Sequence, residues 1–300
     1  MEQTNILRNP NDGAKKEPKQ HKIKNFHISA YITIVVALLF ILVPLYIMVI
    51  TSFTTEVETD NTRFSWWPKL GTTMEGYDFV FNKSLLEITL IDAFINTMWI
   101  YFPSTVIGVF MSAMAAYAFA KLDFKLNKPM FGILMATLTL PNCMSMMASI
   151  IMFDEIGWLN TPLPLMVPRM LGTIGVVFFL RQFYMGLPDD LIGAGYLDGL
   201  DEISVFFKIL LPLSAPALIS QIVLQFIGAY NDYLAPLLYL QEESMYTLQI
   251  ALAYYKDPIK DMWNVRMAAA TVAMVPLVLL YIVAQKYILK GVAITTGLKG

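Results

Sequence analysis

Long uncharged apolar segments dominate the pattern along the chain. Five runs free of charged residues have lengths of 31, 28, 25, 23 and 19 residues and cover 25–55, 93–120, 129–153, 209–231 and 267–285. A helix needs about 20 apolar residues to cross a bilayer core. A sixth run, 156–180, is interrupted only by Arg169, and its prolines predict that the helix starts at Pro168. The pattern therefore predicts six membrane-spanning helices, at about 28–52, 93–120, 129–152, 168–184, 213–238 and 267–288.

Lysine and arginine are distributed unequally between the two sides that six helices define. Fourteen lie on the side of the termini and six on the other. Because cytoplasmic loops carry excess positive charge, we expect both termini in the cytoplasm. Residues 1–27 are polar and predict a disordered cytoplasmic tail. They do not resemble a signal peptide, because the following apolar run is too long and lacks a cleavage site. Residues 28–300 then form a single transmembrane domain.

Composition supports an all-α membrane protein and excludes several activities. The chain is 57% hydrophobic and only 15% charged, and its net charge of −2 provides no basic surface for nucleic acid. Cys143 is the only cysteine, and both histidines lie in the polar tail, so we expect no disulfide and no metal site. No carboxylate pair lies inside an apolar run, and no G-x-x-x-x-G-K-S/T phosphate loop is present. We therefore expect no catalytic residues, and any ATP must be hydrolysed by another chain.

The loop 185–212 is longer than a simple connection between two spans requires. Its residues predict a helix, a glycine turn and a second helix. Pro188 and Asp190 can start the first helix, Gly199 can end it in a left-handed conformation, and Asp201 can cap the second. We expect Pro212 to end that second helix.

The two predicted loop helices differ in composition. The first contains Gly193, Ala194 and Gly195, and each glycine costs about 1 kcal/mol relative to alanine. Small residues at that cost are expected where another surface approaches the backbone. The second helix has an apolar stripe that we expect to pack on the bundle, formed by Ile203, Phe206, Phe207 and Leu210.

In this loop nine residues separate Gly199 from Ile209-Leu210-Leu211-Pro212. This spacing resembles the signature of inner-membrane permease subunits of bacterial ABC importers, which is E-A-A, three residues, Gly, nine residues and I-x-L-P. Residues 193–195 (GAG) stand where E-A-A is usual. In that family the loop is the coupling helix that sits in a groove of the ATPase. In the family this glutamate commonly pairs with a basic residue of the ATPase, and Asp190 or Asp198 could substitute for it here.

Further motifs resemble the carbohydrate branch of these permeases. They follow one another at family spacing: 96–97 (NT), 116–122 (AYAFAKL), 157–163 (GWLNTPL), 180–183 (LRQF) with 187–188 (LP), 231–233 (NDY) and the terminal 297–300 (GLKG). The resemblance covers roughly residues 96–300 and implies the type I ABC importer permease fold in a bacterial cytoplasmic membrane. It also implies a second permease, two ATPase subunits that bind ATP and magnesium, an extracytoplasmic binding protein and a carbohydrate substrate. This chain itself is expected to hold no cofactor.

Several polar residues in apolar segments are candidates for the solute pathway. Arg169 either lines the pathway or reaches water and a structural partner. The polar side chains of Asn142, Ser145 and Thr173 either contact solute or join helices. Asn231 and Asp232 either shape a gate or cap a helix. A non-sugar solute, a non-pumping scaffold or sensor, and a stand-alone channel or secondary transporter remain alternative functions.

Overall fold

The computed structural model describes residues 26–61, 65–83, 86–255 and 262–297, with the side chains of 26–29, 142–143 and 289–297 left out. The predicted tail 1–27 thus falls almost entirely outside the described residues. The described chain is helical, and its β pairing is limited to an isolated bridge between Thr54 and Thr72. The predicted all-α class is confirmed.

Fifteen α-helices occur in the described ranges, with a π-helix at Phe206–Leu210 and a 3-10 turn at Glu243–Met245. The helices are α1 (Phe26–Ser52), α2 (Glu56–Asn61), α3 (Glu75–Asn82), α4 (Leu90–Lys121), α5 (Asn127–Thr137), α6 (Asn142–Glu155), α7 (Leu163–Met170), α8 (Ile174–Met185), α9 (Asp189–Leu197), α10 (Glu202–Val205), α11 (Leu211–Leu213), α12 (Ala215–Tyr230), α13 (Leu234–Tyr239), α14 (Leu248–Tyr254) and α15 (Trp263–Gly297).

Four helical segments in the described chain are long and apolar enough to cross a membrane. They are Ala30–Ser52, Leu90–Lys121, Leu163–Met185 and Trp263–Ile288. A fifth candidate is the pair Glu202–Leu213 and Ala215–Tyr230, which is bent by 76°. The span predicted at 129–152 corresponds to two shorter helices, α5 and α6, interrupted around Pro141. The chain is therefore a multi-pass membrane protein, and the sixth span stays a prediction.

Two compact units divide the chain, residues 1–46 and 47–300. In the first unit, the described side chains of α1 are largely exposed. In the second, α4 lies at the centre and packs against α7, α8 and α12, while α12 packs against α15. Small and hydroxyl-bearing residues on α4 allow this close approach. They are buried at helical spacing: Ala93, Thr97, Ser104, Gly108, Ser112, Ala113 and Ala116.

A buried carboxylate organises the segment that follows α1. The Glu58 side chain is 4% exposed and accepts hydrogen bonds from the backbone N–H groups of Lys69, at 2.9 Å, and Leu70, at 2.9 Å. These donors favour the charged carboxylate and lower the pKa of Glu58 from its usual 4.5, against the opposing effect of burial. One side chain of α2 thereby holds the backbone of Lys69 and Leu70.

Glu58→Gln should lower the melting temperature at pH 7 by a few degrees, because the amide is a weaker acceptor for these two N–H groups. Since the folded pKa lies below the unfolded value of 4.5, the carboxylate stabilises fully above that pH. Its contribution is lost as the pH falls through the folded pKa. In thermal melts at decreasing pH from 7, the difference between the two proteins should therefore shrink only below pH 4.5. The exposed Glu56→Gln is the control, and a Glu58 effect no larger than that control would contradict the prediction.

Candidate functional site: a broken helix and a helical loop

The apolar segment Leu163–Met185 is interrupted in its middle. Helices α7 and α8 are separated by Leu171, Gly172 and Thr173, and Gly172 has a φ of +99°. The Ser112 hydroxyl on α4 accepts a hydrogen bond from the Thr173 N–H at 3.0 Å and donates to the Gly108 carbonyl at 2.7 Å. Backbone groups freed by a break in a span need such partners, because a bilayer core has no water to supply them.

Backbone contact between α4 and α7 sets the position of this break. A Cβ atom at Gly108 would overlap the carbonyl oxygen of Arg169, and one at Gly172 would lie 2.7 Å from the Ser112 hydroxyl. The Arg169 carbonyl also accepts a hydrogen bond from the Gly172 N–H at 3.1 Å. The backbone that carries the Arg169 side chain is therefore held by glycine on α4 and by the turn that follows it.

The predicted helix start at Pro168 is wrong. Helix α7 starts at Leu163, Pro168 lies inside it, and Arg169 lies in its last turn. Pro164 occupies the first turn, where a missing N–H is tolerated, and the helix can therefore begin earlier than the third proline. At this end of α7 the positive charge of Arg169 is favoured by the helix dipole, whereas it would be opposed at a helix N-terminus.

Arg169 faces a cleft of about 330 Å³. Its guanidinium carbon lies 5.1 Å from the centroid of the Tyr101 ring, a cation–π contact. Asp232 lines the same cleft, and its carboxylate accepts a hydrogen bond from the Ala235 N–H at 3.3 Å. The cleft combines charged, hydroxyl and aromatic groups. Its lining residues are Ser149, Phe153, Pro164, Leu165, Pro168, Arg169, Thr173, Asp232, Ala235 and Tyr239.

Three of the six candidate pathway residues meet in this cleft: Arg169, Thr173 and Asp232. Asn231 is exposed and donates to the Ile227 carbonyl at 2.9 Å, as a helix-end residue does. Ser145 is exposed on α6, and its carbonyl accepts from the Ser149 hydroxyl at 2.8 Å. Asn142 begins α6, and its side chain lies outside the described part of the chain.

Sequence reasoning missed several residues of this site. Ser149 lies one helical turn after Ser145, and that spacing could have revealed it. Tyr101, Phe153 and Tyr239 carried no signal, because an aromatic residue in an apolar run resembles any lipid-facing residue. Packing of α6, α7 and α13 brings Phe153 and Tyr239 to the cleft, and packing of α4 on α7 brings Tyr101 to Arg169.

The predicted helix, glycine turn and helix are present in the loop 185–212. Gly199 has a φ of +79°, and the Leu200 N–H donates to the Gly195 carbonyl at 3.0 Å across the end of α9. Asp201 caps α10, accepting from the Ser204 N–H at 3.1 Å. The expected stop at Pro212 is wrong, because the helical path continues to Leu213 and bends at Ser214. At the start of α11, Pro212 is compatible with helix.

The two glycines of the G-A-G triplet have different surroundings. A Cβ atom on the buried Gly195 would lie 2.6 Å from Ile209 Cδ1 and 3.3 Å from Val205 Cγ2. The small residue at 195 thus accommodates the Ile209 side chain of this same chain. Gly193 is exposed, with open space where a Cβ would lie. The carboxylate-bearing Asp190 and Asp198 are exposed, as is Ala194.

The apolar stripe of the second loop helix is only half buried. Phe206 and Leu210 are 2% and 1% exposed, and the half-exposed Phe207 ring lies 6.0 Å from the Phe110 ring on α4. Ile203 is 66% exposed, so the predicted packing on the bundle is wrong for this residue. Ile209 and Leu211 are half-buried, and Pro212 is exposed. The π-helix at Phe206–Leu210 changes the side-chain spacing from that of an α-helix. Leu197, at the end of α9, is 91% exposed, a site feature that sequence reasoning missed.

Comparison with known proteins identifies the family. The family model described as binding-protein-dependent transport system inner membrane component matches residues 85–294. The chain belongs to this family. It is 31% identical to the arabinooligosaccharides transport system permease protein AraQ of Halalkalibacterium halodurans, over 86% of this chain and 91% of the relative. It is 32% identical to the trehalose/maltose transport system permease protein MalG of Thermococcus litoralis, over 65% and 71%.

A solved structure shares the fold. The chain aligns with a crystal structure of a bacterial ABC transporter involved in the import of the acidic polysaccharide alginate, with a TM-score of 0.75 and 19% identity. The alignment covers 90% of this chain and 99% of the other. The chain therefore has an ABC importer permease fold, and its family is a transport component.

In this permease, the 116–122 motif ties the loop to α4. The Lys121 ammonium donates to the Leu187 carbonyl at 2.8 Å and forms an ion pair with Asp189 at the start of α9. The Tyr117 hydroxyl donates to the Glu202 carbonyl at 3.1 Å on α10. Both loop helices are thus fastened to the end of the central helix that contacts the broken span.

Two other motifs of the permease hold the segment 239–248. Asn160, with a φ of +56°, accepts from the Gln241 and Glu242 N–H groups at 3.0 Å and donates to the Glu242 carboxylate at 2.9 Å. The Asn96 amide donates to the Ser244 carbonyl at 2.9 Å. These bonds place the segment next to α13, which lines the cleft.

Proposed function

We propose that this chain is the transmembrane subunit of an ATP-driven importer that translocates a carbohydrate delivered by an extracytoplasmic binding protein. The observation that carries the proposal is family membership joined to a polar cleft at a broken span. Relatives named for arabinooligosaccharides, trehalose/maltose and melibiose/raffinose/stachyose transport favour a sugar over a non-sugar solute.

The chemistry of the cleft supports a hydroxyl-rich solute. Ser149, Thr173 and Asp232 offer donors and acceptors, and Tyr239 and Phe153 offer apolar ring surface. Binding sites for small polar molecules combine apolar walls with a few well-placed polar groups of this kind. Sites in transporters also cluster where a spanning helix is broken. The break at residues 171–173 meets both conditions.

The finer architecture follows the resemblance. We propose six spans with both termini in the cytoplasm, the type I ABC importer permease fold, and assembly with a second permease and two ATPase subunits. The loop 185–212 is the coupling helix, and ATP and magnesium bind to the ATPases. The exposed side chains of Asp190, Leu197 and Asp198 support this role. They give α9 and its C-terminal end two carboxylates and one large apolar group at the surface.

The contacts of α4 suggest how movement of the loop reaches the cleft. When the ATPases close on ATP, they displace α9, and the Lys121 and Tyr117 contacts carry this displacement to α4. Helix α4 continues without interruption from Lys121 to Ser112 and Gly108, a rise of about 14 to 20 Å. Those two residues contact the break that positions Arg169. ATP hydrolysis is then coupled to solute movement through α4, a continuous helix that joins the loop to the cleft.

External contacts with the binding protein are assigned to the segments 53–90 and 239–265. The bonds from Asn160 and Asn96 support the second assignment, because they fix residues 239–248 beside the cleft. A binding protein docked on this segment would release its solute next to the cleft.

The function is tested by purifying the chain from its own membranes in mild detergent through a tag at the N-terminus. We expect a second permease and an ATPase to co-purify, with ATP hydrolysis stimulated by a sugar-loaded binding protein. Recovery of the chain alone, or with an ATPase that no solute stimulates, would favour the scaffold or stand-alone transporter instead. Stimulation only by a polyol, glycerophosphodiester or amino acid would favour the non-sugar importer.

Leu197→Asp should reduce ATPase co-purification about tenfold, because one buried apolar anchor lost from an interface is worth about 1.4 kcal/mol or more. The chain itself should stay folded, since the Leu197 side chain is 91% exposed. Leu70→Asp, at 64% exposure in the segment after α1, is the matched control on the opposite predicted side. Equal ATPase recovery from both variants would remove Leu197 from the interface.

A further inference from the structure

A short turn between α2 and α3 presents large apolar side chains at the surface. It covers Ser65–Leu70, with the sequence S-W-W-P-K-L. Trp66, Trp67 and Leu70 are 59%, 63% and 64% exposed, whereas Pro68 between them is buried. Exposed apolar groups this close together are unfavourable in water and mark contact with a membrane or with another protein.

The backbone of this turn is held from its inner side. The Ser65 hydroxyl donates to the Trp67 carbonyl at 2.6 Å. The buried Glu58 carboxylate accepts from the Lys69 and Leu70 N–H groups, both at 2.9 Å. These bonds use the backbone and two polar side chains, and the exposed apolar side chains take no part in them. The turn can therefore present those side chains to an outside surface.

The turn lies close to the end of a candidate span. The span Ala30–Ser52 ends two residues before Thr54, which forms the bridge with Thr72. Leu70 is two residues from that bridge, a distance of at most about 7 Å along the chain. The head-group region on each face of a bilayer is about 5–8 Å thick. The turn is therefore within reach of the lipid head groups.

Helix α3 joins the same region to a second span end. The Tyr77 hydroxyl on α3 lies 2.7 Å from the hydroxyl of Ser52. Gly76 packs so closely on α15 that a Cβ atom would lie 3.0 Å from the Asn264 carbonyl oxygen. Asn264 is in the first turn of the candidate span Trp263–Ile288. The turn thus sits where two spans end, at the outer boundary of the membrane in the proposed topology.

The chemistry of the turn favours lipid over protein as the surface that covers it. Tryptophan is enriched at membrane–water interfaces, because its ring is apolar while its N–H can bond to head groups. Lys69 is exposed in the same turn and can pair with lipid phosphate, whereas lysine is depleted in protein interfaces. The exposed carboxylates of Glu56, Asp60 and Glu75 lie outside the turn, on α2 and α3.

We infer that the turn Ser65–Leu70 is a membrane anchor. Trp66, Trp67 and Leu70 insert among the head groups of outer-leaflet phospholipids, and Lys69 pairs with their phosphates. Through α3, this anchor fixes the depth at which α1 ends and α15 begins. The turn is thereby assigned to lipid, and the rest of the external segment 53–90 is left for the binding protein. The anchor does not depend on which solute is carried.

The test uses the purified permease–ATPase complex in nanodiscs of phosphatidylcholine and phosphatidylglycerol, with acyl chains either unmodified or brominated close to the head group. Bromine quenches tryptophan emission only at near contact. The emission of the Trp66→Phe/Trp67→Phe complex is subtracted from that of wild type, which leaves the signal of the two residues. We expect brominated lipid to reduce this signal at least twofold and to reduce it more than iodide in the water does.

Trp158→Phe is the matched control. Trp158 is half-buried and stacks on Phe153, with ring centroids 5.9 Å apart, so the signal obtained by the same subtraction should change little with brominated lipid. Leu70→Trp, placed in the Trp66→Phe/Trp67→Phe background, tests the third apolar position of the turn, and its added emission should be quenched by brominated lipid as well. A melting curve for each complex checks folding.

The other possible surroundings of the turn give different results. Quenching by iodide alone would place the turn in water, and loss of that quenching on addition of binding protein would assign the turn to that protein. A signal that neither quencher reduces would place the turn against another subunit of the complex. Any of these results, or an unquenched Leu70→Trp signal, would overturn the inference.

Discussion

Gly108→Ala should lower the melting temperature by several degrees and reduce uptake at least tenfold. The added methyl group would overlap the carbonyl oxygen of Arg169, so α4 and α7 must separate at the break. Overpacking of this kind costs about 1–3 kcal/mol, and here the obstacle is backbone, which cannot rotate away. The same separation displaces the Arg169 guanidinium and the Ser112–Thr173 hydrogen bond. Thermal melts in detergent and uptake in cells check the two effects.

Gly175→Ala provides a matched control in the same broken span. Gly175 lies in α8, two residues after the break, with open space where a Cβ would lie. Alanine favours a helix over glycine by about 1 kcal/mol, so this variant should be as stable as wild type or more stable. The two substitutions add the same methyl group and should change stability in opposite directions. A Gly108→Ala protein with undiminished melting temperature and uptake would contradict the proposed close packing.

Gly199→Trp should leave the permease in the membrane but reduce sugar uptake per ATP hydrolysed at least tenfold. No atom of the described chain lies within 4 Å of a Cβ at this position, so a side chain can leave the backbone here without meeting its own protein. The tryptophan side chain instead collides with the partner surface that faces the loop, which we propose is the ATPase groove. The φ of +79° adds about 1–2 kcal/mol of local strain for a residue with a side chain.

Two controls separate strain from bulk. Gly199→Asn introduces a residue that adopts the left-handed conformation at low cost and should stay coupled. Gly199→Ala introduces strain without bulk and should lose little uptake. Transport and ATP hydrolysis are measured together in proteoliposomes containing the whole complex. Full coupled uptake by the tryptophan variant would show that the loop does not face an ATPase, while loss of ATPase from the complex would support the docking equally well.

Local signals in the chain were sufficient for much of the fold. The long uncharged runs specify helices because a bilayer requires backbone groups to be paired within each segment. Gly199 and Asp201 specify the helix, turn and helix of the loop, since turn and cap preferences act over a few residues. The motifs at 96–97 and 116–122 indicated the family without showing what their side chains contact.

Contacts between distant segments decided what local signals could not. The start of α7 depends on which of three prolines begins the helix, and helix ends are weakly specified by sequence. The break at 171–173 depends on Ser112 and Gly108, some 60 residues earlier, because a freed N–H in a span is tolerated only where another helix supplies an acceptor. The burial of Gly195 likewise depends on Ile209 from the following helix.

By itself the sequence determined that this protein is helical, crosses a membrane several times, belongs with importer permeases and contains a capped helical loop. The helical, membrane-spanning and capped-loop properties follow from composition, periodicity and residue spacing, each of which acts locally, and the family follows from the resemblance of the motifs to those of known permeases. Tertiary structure alone decided that Arg169, Thr173 and Asp232 share one cleft, that Arg169 lies over Tyr101, and that α4 joins the loop to the break. Those arrangements depend on packing between segments far apart in the chain, which no local pattern encodes.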